Sequence, residues 1–265
     1  MYLIDTHAHL DMIKKMAPAE AVRKSAEAGV RYIINPGSSI SGSKKSIEYS
    51  RVFPGVFSGV GIHPHDVKGF GEKEAGILES LIKDDSGSRN KKVVAVGESG
   101  FDFYRDLSPR LDQERAFRAH IELAMEYDLP LIIHNRDADR QTFRVLKDYA
   151  HHNGFRGVVH CFLSDTAFAM QCLDLGLYIS FTGVITFPNA RHTLKVVKKV
   201  PMERMFVETD SPFLAPQAVR GQENFPGNVK YVAEKIAAVK DMTTEQVAGI
   251  TSRNAIDFFA LEGDV

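Results

Sequence analysis

The chain has 265 residues with 33 Lys and Arg against 34 Asp and Glu, a formal charge of −1 with histidine neutral, which excludes a basic nucleic-acid-coating protein and an acidic-tail protein. With 44% hydrophobic and 25% charged residues it has the composition of a soluble globular chain, not of a disordered, collagenous or low-complexity one. No apolar run reaches the roughly 18 residues of a membrane helix, the first residues do not resemble a secretory signal, and Cys161 and Cys172 form no CxxC pattern, so a cytoplasmic protein with free thiols is expected.

Along the chain, short β-rich runs alternate with longer runs of helical spacing. A strand over 3–5 is followed by a helix over 19–28, a strand over 32–35 by a helix over 44–52, and a strand over 56–61 by a helix over 75–82. The polar stretch 84–92 reads as a loop. Strands over 93–97, 131–134, 157–160 and 178–181 then pair with helices over 111–127, 138–149, 166–175 and 191–200. An eighth strand over 206–208 precedes helices over 229–239 and 244–259, the last expected against the outside of the fold. Runs such as Val93-Val94-Ala95-Val96 do not alternate, as befits parallel strands buried on both faces. Eight strands in 265 residues, about 33 per unit, predict a (β/α)8 TIM barrel forming a single domain over 1–265. An open doubly wound sheet is the alternative, but Thr6-His7-Ala8-His9 after the first strand lacks its glycine-rich turn.

Ligand-type residues fall at the carboxyl ends of these strands. His7 and His9 follow the first, Glu98 the fourth, His134 the fifth, His160 the sixth and Asp210 the eighth. In a parallel barrel those ends converge on one rim, so residues about two hundred apart can meet. Imidazoles with carboxylates are ligands for divalent metals such as zinc, manganese or magnesium. Six donors exceed one tetrahedral site, and two ions sharing a carboxylate would account for the number. His7 and His9, two apart, point to one side if the strand continues. That spacing alone is common in a chain with 10 histidines, and its weight comes from Asp5 beside it and the later ligand types. His63 and His65 read as substrate or supporting positions and His192 as a weaker substrate candidate. His120, His151 and His152 read as structural.

The segments Asp5-Thr6-His7-Ala8-His9-Leu10-Asp11, Gly61-Ile62-His63-Pro64-His65, Gly97-Glu98-Ser99-Gly100-Phe101-Asp102, Ile133-His134-Asn135-Arg136-Asp137-Ala138, His160-Cys161-Phe162 and Glu208-Thr209-Asp210-Ser211-Pro212 resemble, in order, the successive motifs of the TatD family of metal-dependent hydrolases. The resemblance spans 5–212, and the ordered set is far more specific than any one motif. It implies a TIM barrel of the amidohydrolase-like superfamily with a two-metal site and deoxyribonuclease activity, usually 3′→5′ exonuclease. It implies that His7, His9 and Asp210 hold one ion, that His134 and His160 hold a second, and that Glu98 bridges them. The chain departs from the pattern at Arg220-Gly221-Gln222-Glu223-Asn224-Phe225-Pro226, where Glu223 replaces a basic residue and Phe225 an acid. That departure bears on substrate preference.

The expected reaction is hydrolysis of DNA phosphodiesters by a metal-activated water, with Mg2+, Mn2+ or Zn2+ as the two ions. Asp210, Glu98, His63 and Arg136 are the expected catalytic residues. Asp210 both ligates and accepts the water's proton, and Arg136 and His63 contact phosphate, ahead of Arg220 and Asn224. The neutral charge argues against tracking along duplex and for single-stranded or frayed 3′ ends as the partner. Phe101, Phe103, Tyr104 and Phe187 are candidates to stack an unpaired base. No protein partner or membrane is indicated. The alternative is an ester or amide hydrolase on the same ions, such as an aminoacyl-tRNA deacylase or a small-molecule amidohydrolase. Retention of every ligand and of Asp210 speaks against a non-catalytic metal-binding protein.

Overall fold

Nearly every strand residue is buried, because each strand faces helices on one side and the barrel interior on the other. The computed structural model describes residues 2–87, 91–152 and 154–261. The elements run β1 (Leu3–Asp5), α1 (Pro18–Glu27), β2 (Val30–Asn35), α2 (Ile40–Val52), β3 (Val56–Val60), α3 (Glu72–Ser86), β4 (Val93–Asp102) and α4 (Arg110–Glu126). They continue β5 (Leu131–Arg136), α5 (Asp139–Tyr149), β6 (Gly157–Val159), α6 (Thr166–Asp174), β7 (Tyr178–Phe181), α7 (Arg191–Lys199), β8 (Met205–Val207), α8 (Val229–Lys240) and α9 (Thr244–Phe259). The sheet order is sequential from β1 to β8, and every pairing is parallel. Backbone bonds close the seam between β8 and β1: Thr6 N–H donates to Val207 O (3.3 Å), Asp210 N–H to His7 O (2.8 Å) and His9 N–H to Ser211 O (2.7 Å). This is the (β/α)8 barrel, not the open sheet.

Alternate strand residues serve the two faces. Leu3, Ile33, Val56, Ile133, Ile179 and Val207 pack outward under the helices, and Ile4, Ile34, Phe57, Ile132, Val158 and Phe206 fill the barrel interior. The last helix departs from expectation. Rather than lying on the outer wall, α9 lies across the start of the barrel, where Phe258 and Phe259 join the interior cluster and Phe258 lies 5.2 Å from the Phe206 ring. Its diphenylalanine is a plug. The expected loop over 84–92 also shortens: 84–86 form the last turn of α3, and the Asp85 carboxylate accepts the Lys92 and Val93 N–H groups (2.8 Å each), joining that turn to β4. Residues 88–90 lie outside the described residues.

Candidate metal centre

Local sequence sets each donor at the rim. The Asp5 carboxylate ends β1 by accepting Thr209 N–H (2.9 Å), the Thr209 hydroxyl (2.5 Å) and His7 N–H (3.2 Å). Asn35 Oδ1 accepts Leu10 N–H at 2.7 Å. The stretch pinned between them carries His7 and His9, both buried. On β4, Gly97 and Gly100 adopt φ of +125° and +151°, and a Cβ at Gly97 would lie 2.6 Å from Ile132 O. Only glycine tolerates that approach and conformation. The β4–β5 register shifts between Val96 and Ser99, and Glu98 sits in the irregularity.

The six expected donors come together. His7 Nε2 and His9 Nε2 lie 3.1 Å apart. Asp210 Oδ1 is 3.8 and 3.6 Å from them. Glu98 presents Oε2 to His7 at 3.7 Å and Oε1 to His9 at 3.4 Å. The same Oε2 lies 3.0 Å from His160 Nε2 and 3.6 Å from His134 Nδ1, and those two nitrogens are 3.2 Å apart. Donors bound at 2.0–2.2 Å to a shared ion stand roughly 3.0–3.5 Å from one another, so these separations suit divalent cations. The rings of His7 and His9 turn Nε2 inward although this leaves both buried Nδ1 atoms without a hydrogen-bond partner. An inward ligand offsets such a cost.

Charge points the same way. Burial pushes the Asp210 carboxyl up to about 6. Burial also opposes protonation of His160, yet Glu208 and Glu98 hold that ring well above the usual imidazole range. Glu98 stays well below the usual carboxylate range, because the surrounding imidazoles outweigh its burial. The Glu98 charge is thus offset by the imidazoles packed around it.

Two carboxylates outside the expected set lie behind the rings. Asp102 Oδ2 lies 3.2 Å from His134 Nε2 and 2.9 Å from His65 Nε2, while its Oδ1 accepts Arg105 N–H at 2.7 Å. Glu208 Oε1 accepts Cys161 N–H at 2.6 Å and lies 3.5 Å from His160 Nδ1. Both stand in the family-like segments, yet neither is among the site residues expected from sequence: the expected β4 ends at residue 97, five short of Asp102, and the expected β8 ends at Glu208. The signal for Glu208 was available, since residues 208 and 210 lie two apart at the end of one strand.

The centre opens into a cleft of about 580 Å³ lined by His63, His65, Arg105, Arg136, Leu163 and Phe213 among others. His63 Nδ1 accepts His65 N–H at 3.1 Å, and burial lowers its ring to about 3, so it is neutral with Nε2–H as its donor. Arg136 stacks its guanidinium 4.0 Å over the Tyr104 ring and has no carboxylate partner among the described residues. Other expectations move. Phe101 is fully buried against Phe103 and Phe117 and cannot stack a base. The exposed ring at the cleft is Phe213, which sequence reasoning missed. Asn224 is buried and donates to Thr209 O (3.1 Å) and Phe213 O (2.6 Å), a brace for the loop after β8 and not a phosphate contact. Glu223 accepts the Lys14 and Lys15 N–H groups (3.0 and 2.6 Å), so the acidic departure anchors the loop after β1. Phe225 packs on the core. His120 is structural, as expected: Nε2 accepts Ile62 N–H at 3.0 Å and Nδ1 donates to Ala116 O at 2.7 Å. His192 is exposed on the first turn of α7 and lines no part of the cleft.

Comparison with known proteins adds an independent line. Residues 4–260 match the family model described as TatD related DNase. An uncharacterized metal-dependent hydrolase of Bacillus subtilis, YabD, is 38% identical over 260 residues, covering 98% of this chain and 99% of its own. The protein named 3'-5' ssDNA/RNA exonuclease TatD from Salmonella typhimurium is 30% identical over 91% of this chain and 92% of its own. Among solved structures, the TatD homolog YJJV of Escherichia coli superposes with a TM-score of 0.89 at 27% identity, over 98% of both chains.

Proposed function

The chain belongs to the TatD-related DNase family of metal-dependent hydrolases, and from that premise we propose that it hydrolyses phosphodiester bonds at the single-stranded or frayed 3′ ends of DNA, as a 3′→5′ exonuclease with two divalent ions. The observation that supports the reading is the Glu98 carboxylate, which lies 3.7 and 3.4 Å from His7 and His9 and 3.6 and 3.0 Å from His134 and His160, with Asp210 beside His7 and His9. In this reading His7, His9 and Asp210 would hold one ion, His134 and His160 the other, and Glu98 would serve both. Bound divalent ions lower the pKa of water toward about 7 and offset charge developing on phosphoryl oxygens.

The chain's own groups do the rest. In this reading Asp210, beside His7 and His9 after β8, would also take the water's proton. His63 directs Nε2–H, and Arg136 its guanidinium, at the phosphate's free oxygens. Tyr104 holds the Arg136 plane from behind. Asp102 and Glu208 fix the His134 and His160 rings. The reading treats 1–265 as one catalytic domain in the cytoplasm, supported there by both cysteines being free thiols.

The test is digestion of end-labelled single- and double-stranded DNA by metal-stripped protein with Mg2+, Mn2+ or Zn2+ restored separately. Shortening from the 3′ end, lost in EDTA and reduced about 10²-fold or more in Asp210→Asn, is expected. DNA left intact by protein that still binds metal overturns the nuclease reading and turns the search to ester and amide substrates.

A further inference from the structure

A second groove, of about 730 Å³, lies on the same rim between the loops after β7 and β8, lined by Val184, Phe187, Asn189, Thr193, Gln217 and Arg220 among others. No carboxylate lines it among the described residues. It shares a wall with the metal cleft: Leu214 lines the cleft and Gln217 the groove, and three residues of chain span at most about 11 Å. Gln217 N–H donates to Thr186 Oγ1 at 2.8 Å, fastening the two loops together. Arg220 holds its guanidinium 5.9 Å from the half-buried Phe187 ring and has no carboxylate partner among the described residues.

The helix beside the groove is equally unbalanced. Helix α7 reads Arg191-His192-Thr193-Leu194-Lys195-Val196-Val197-Lys198-Lys199, with no acid. Its basic side chains are exposed and form no ion pair among the described residues. Other surface helices do carry ion pairs, as in Arg23 with Glu27, Lys45 with Glu48, and Arg118 with Glu114 and Asp148. Lys198 and Lys199 suit the carboxyl end of a helix, but Arg191 and His192 occupy the first turn, where cations oppose the helix dipole. Helices α1, α3, α4, α5 and α9 carry an acid there, whereas α2, α6 and α8, like α7, carry none. With no acid on α7 and none among the described residues lining the groove, this face is suited to an anionic partner.

We propose that the Phe187–Arg220 groove and the basic first turn of α7 form a subsite for single-stranded polynucleotide beyond the scissile linkage. Phe187 stacks a base, Arg220 and Arg191 hold phosphates, and Lys195 leads the strand down the barrel wall. The inference rests on the nuclease reading and deepens it. It names what binds outside the metal cleft.

The test measures binding, so that it separates from cleavage. A fluorescein-labelled single-stranded oligodeoxynucleotide of roughly 12 nucleotides, within the usual site sizes, is titrated by anisotropy into Mn2+-loaded Asp210→Asn protein over a range of salt. Adding Arg191→Gln with Arg220→Gln is expected to weaken binding about tenfold or more and to reduce the log–log salt slope by about 1.4, at ~0.7 per phosphate contact. Phe187→Ala is expected to weaken binding about fivefold or more without changing the slope. Arg23→Gln, in the α1 pair with Glu27 outside the groove, is expected to change neither. Unchanged affinity and slope in the double variant, or no binding by the parent, overturns the subsite. Wild-type protein that cuts DNA while the double variant binds unchanged sinks the groove alone. Binding through the groove without cleavage by the loaded wild type sinks the nuclease reading alone.

Discussion

His134 is gripped from both sides, with Nδ1 toward Glu98 and His160 and Nε2 toward the buried Asp102 carboxylate. A ring so held presents one nitrogen in one direction without searching rotamers, and the carboxylate behind it raises its basicity as a ligand. Asp102→Asn keeps the shape but removes the charge. Metal affinity is therefore expected to fall about 10- to 100-fold, read by chelator competition, and parent-like affinity would show that Asp102 does not act through His134. His120 makes a different point, because burial lowers its ring from 6.5 to about 4. Between those values the unfolded chain binds the proton and the folded one does not, so the stability His120 contributes is complete above the unfolded value and is lost as pH falls toward the folded one. The stability gap between wild type and His120→Gln, from urea unfolding, is expected to narrow by about 2 kcal/mol between pH 7 and pH 5. A gap that stays constant would mean the ring titrates normally.

At the scale of elements, β4 decides where the bridging carboxylate stands. A methyl group at Gly100 would overlap the His134 carbonyl oxygen, at a φ of +151° that other residues avoid. Gly100→Ala is expected to cost at least about 2 kcal/mol in chemical unfolding and to weaken metal binding with it; wild-type stability would mean that β4 can relax without cost. The same glycines explain what the sequence could not reveal. Strand starts were legible, because runs such as Leu131-Ile132-Ile133 are apolar on both faces, and the donors at their ends followed. The reach of β4 to Asp102 was not, since Gly97 and Gly100 read locally as a break and only pairing with His134, Asn135 and Arg136 extends the strand. Nor was the fate of Phe101 and Phe213 legible. Both sit near strand ends, and only three-dimensional packing turns one inward and leaves the other exposed. The place of α9 depended on a contact between residues about two hundred and fifty positions apart, with β1 at one end of the chain and Phe258 at the other.

For the whole molecule, the donors come from the ends of β1, β4, β5, β6 and β8, so a bound ion ties together strands on opposite sides of the barrel and spans the β8–β1 seam. The interior below is closed independently by Ile4, Phe57, Phe206 and the α9 plug. Ions therefore add stability to a barrel that already has its core, unlike small metal-dependent folds that collapse without metal. A ligand present at 100 times its dissociation constant adds about 2.7 kcal/mol, and a chain of this size gains roughly 2–4 °C in melting temperature per kcal/mol. Removing metal with EDTA is expected to lower the melting temperature by about 5–10 °C while the far-UV circular dichroism at 25 °C stays unchanged, and restoring Mn2+ is expected to reverse the shift. In His9→Ala, which lacks a donor of one group only, the reversal is expected to be smaller than in wild type and not absent, because the His134 and His160 side remains. A melting temperature indifferent to saturating metal would show that these side chains are not ligands. Loss of the far-UV signal on chelation would show that the rim, and not the plugged interior, holds the barrel together.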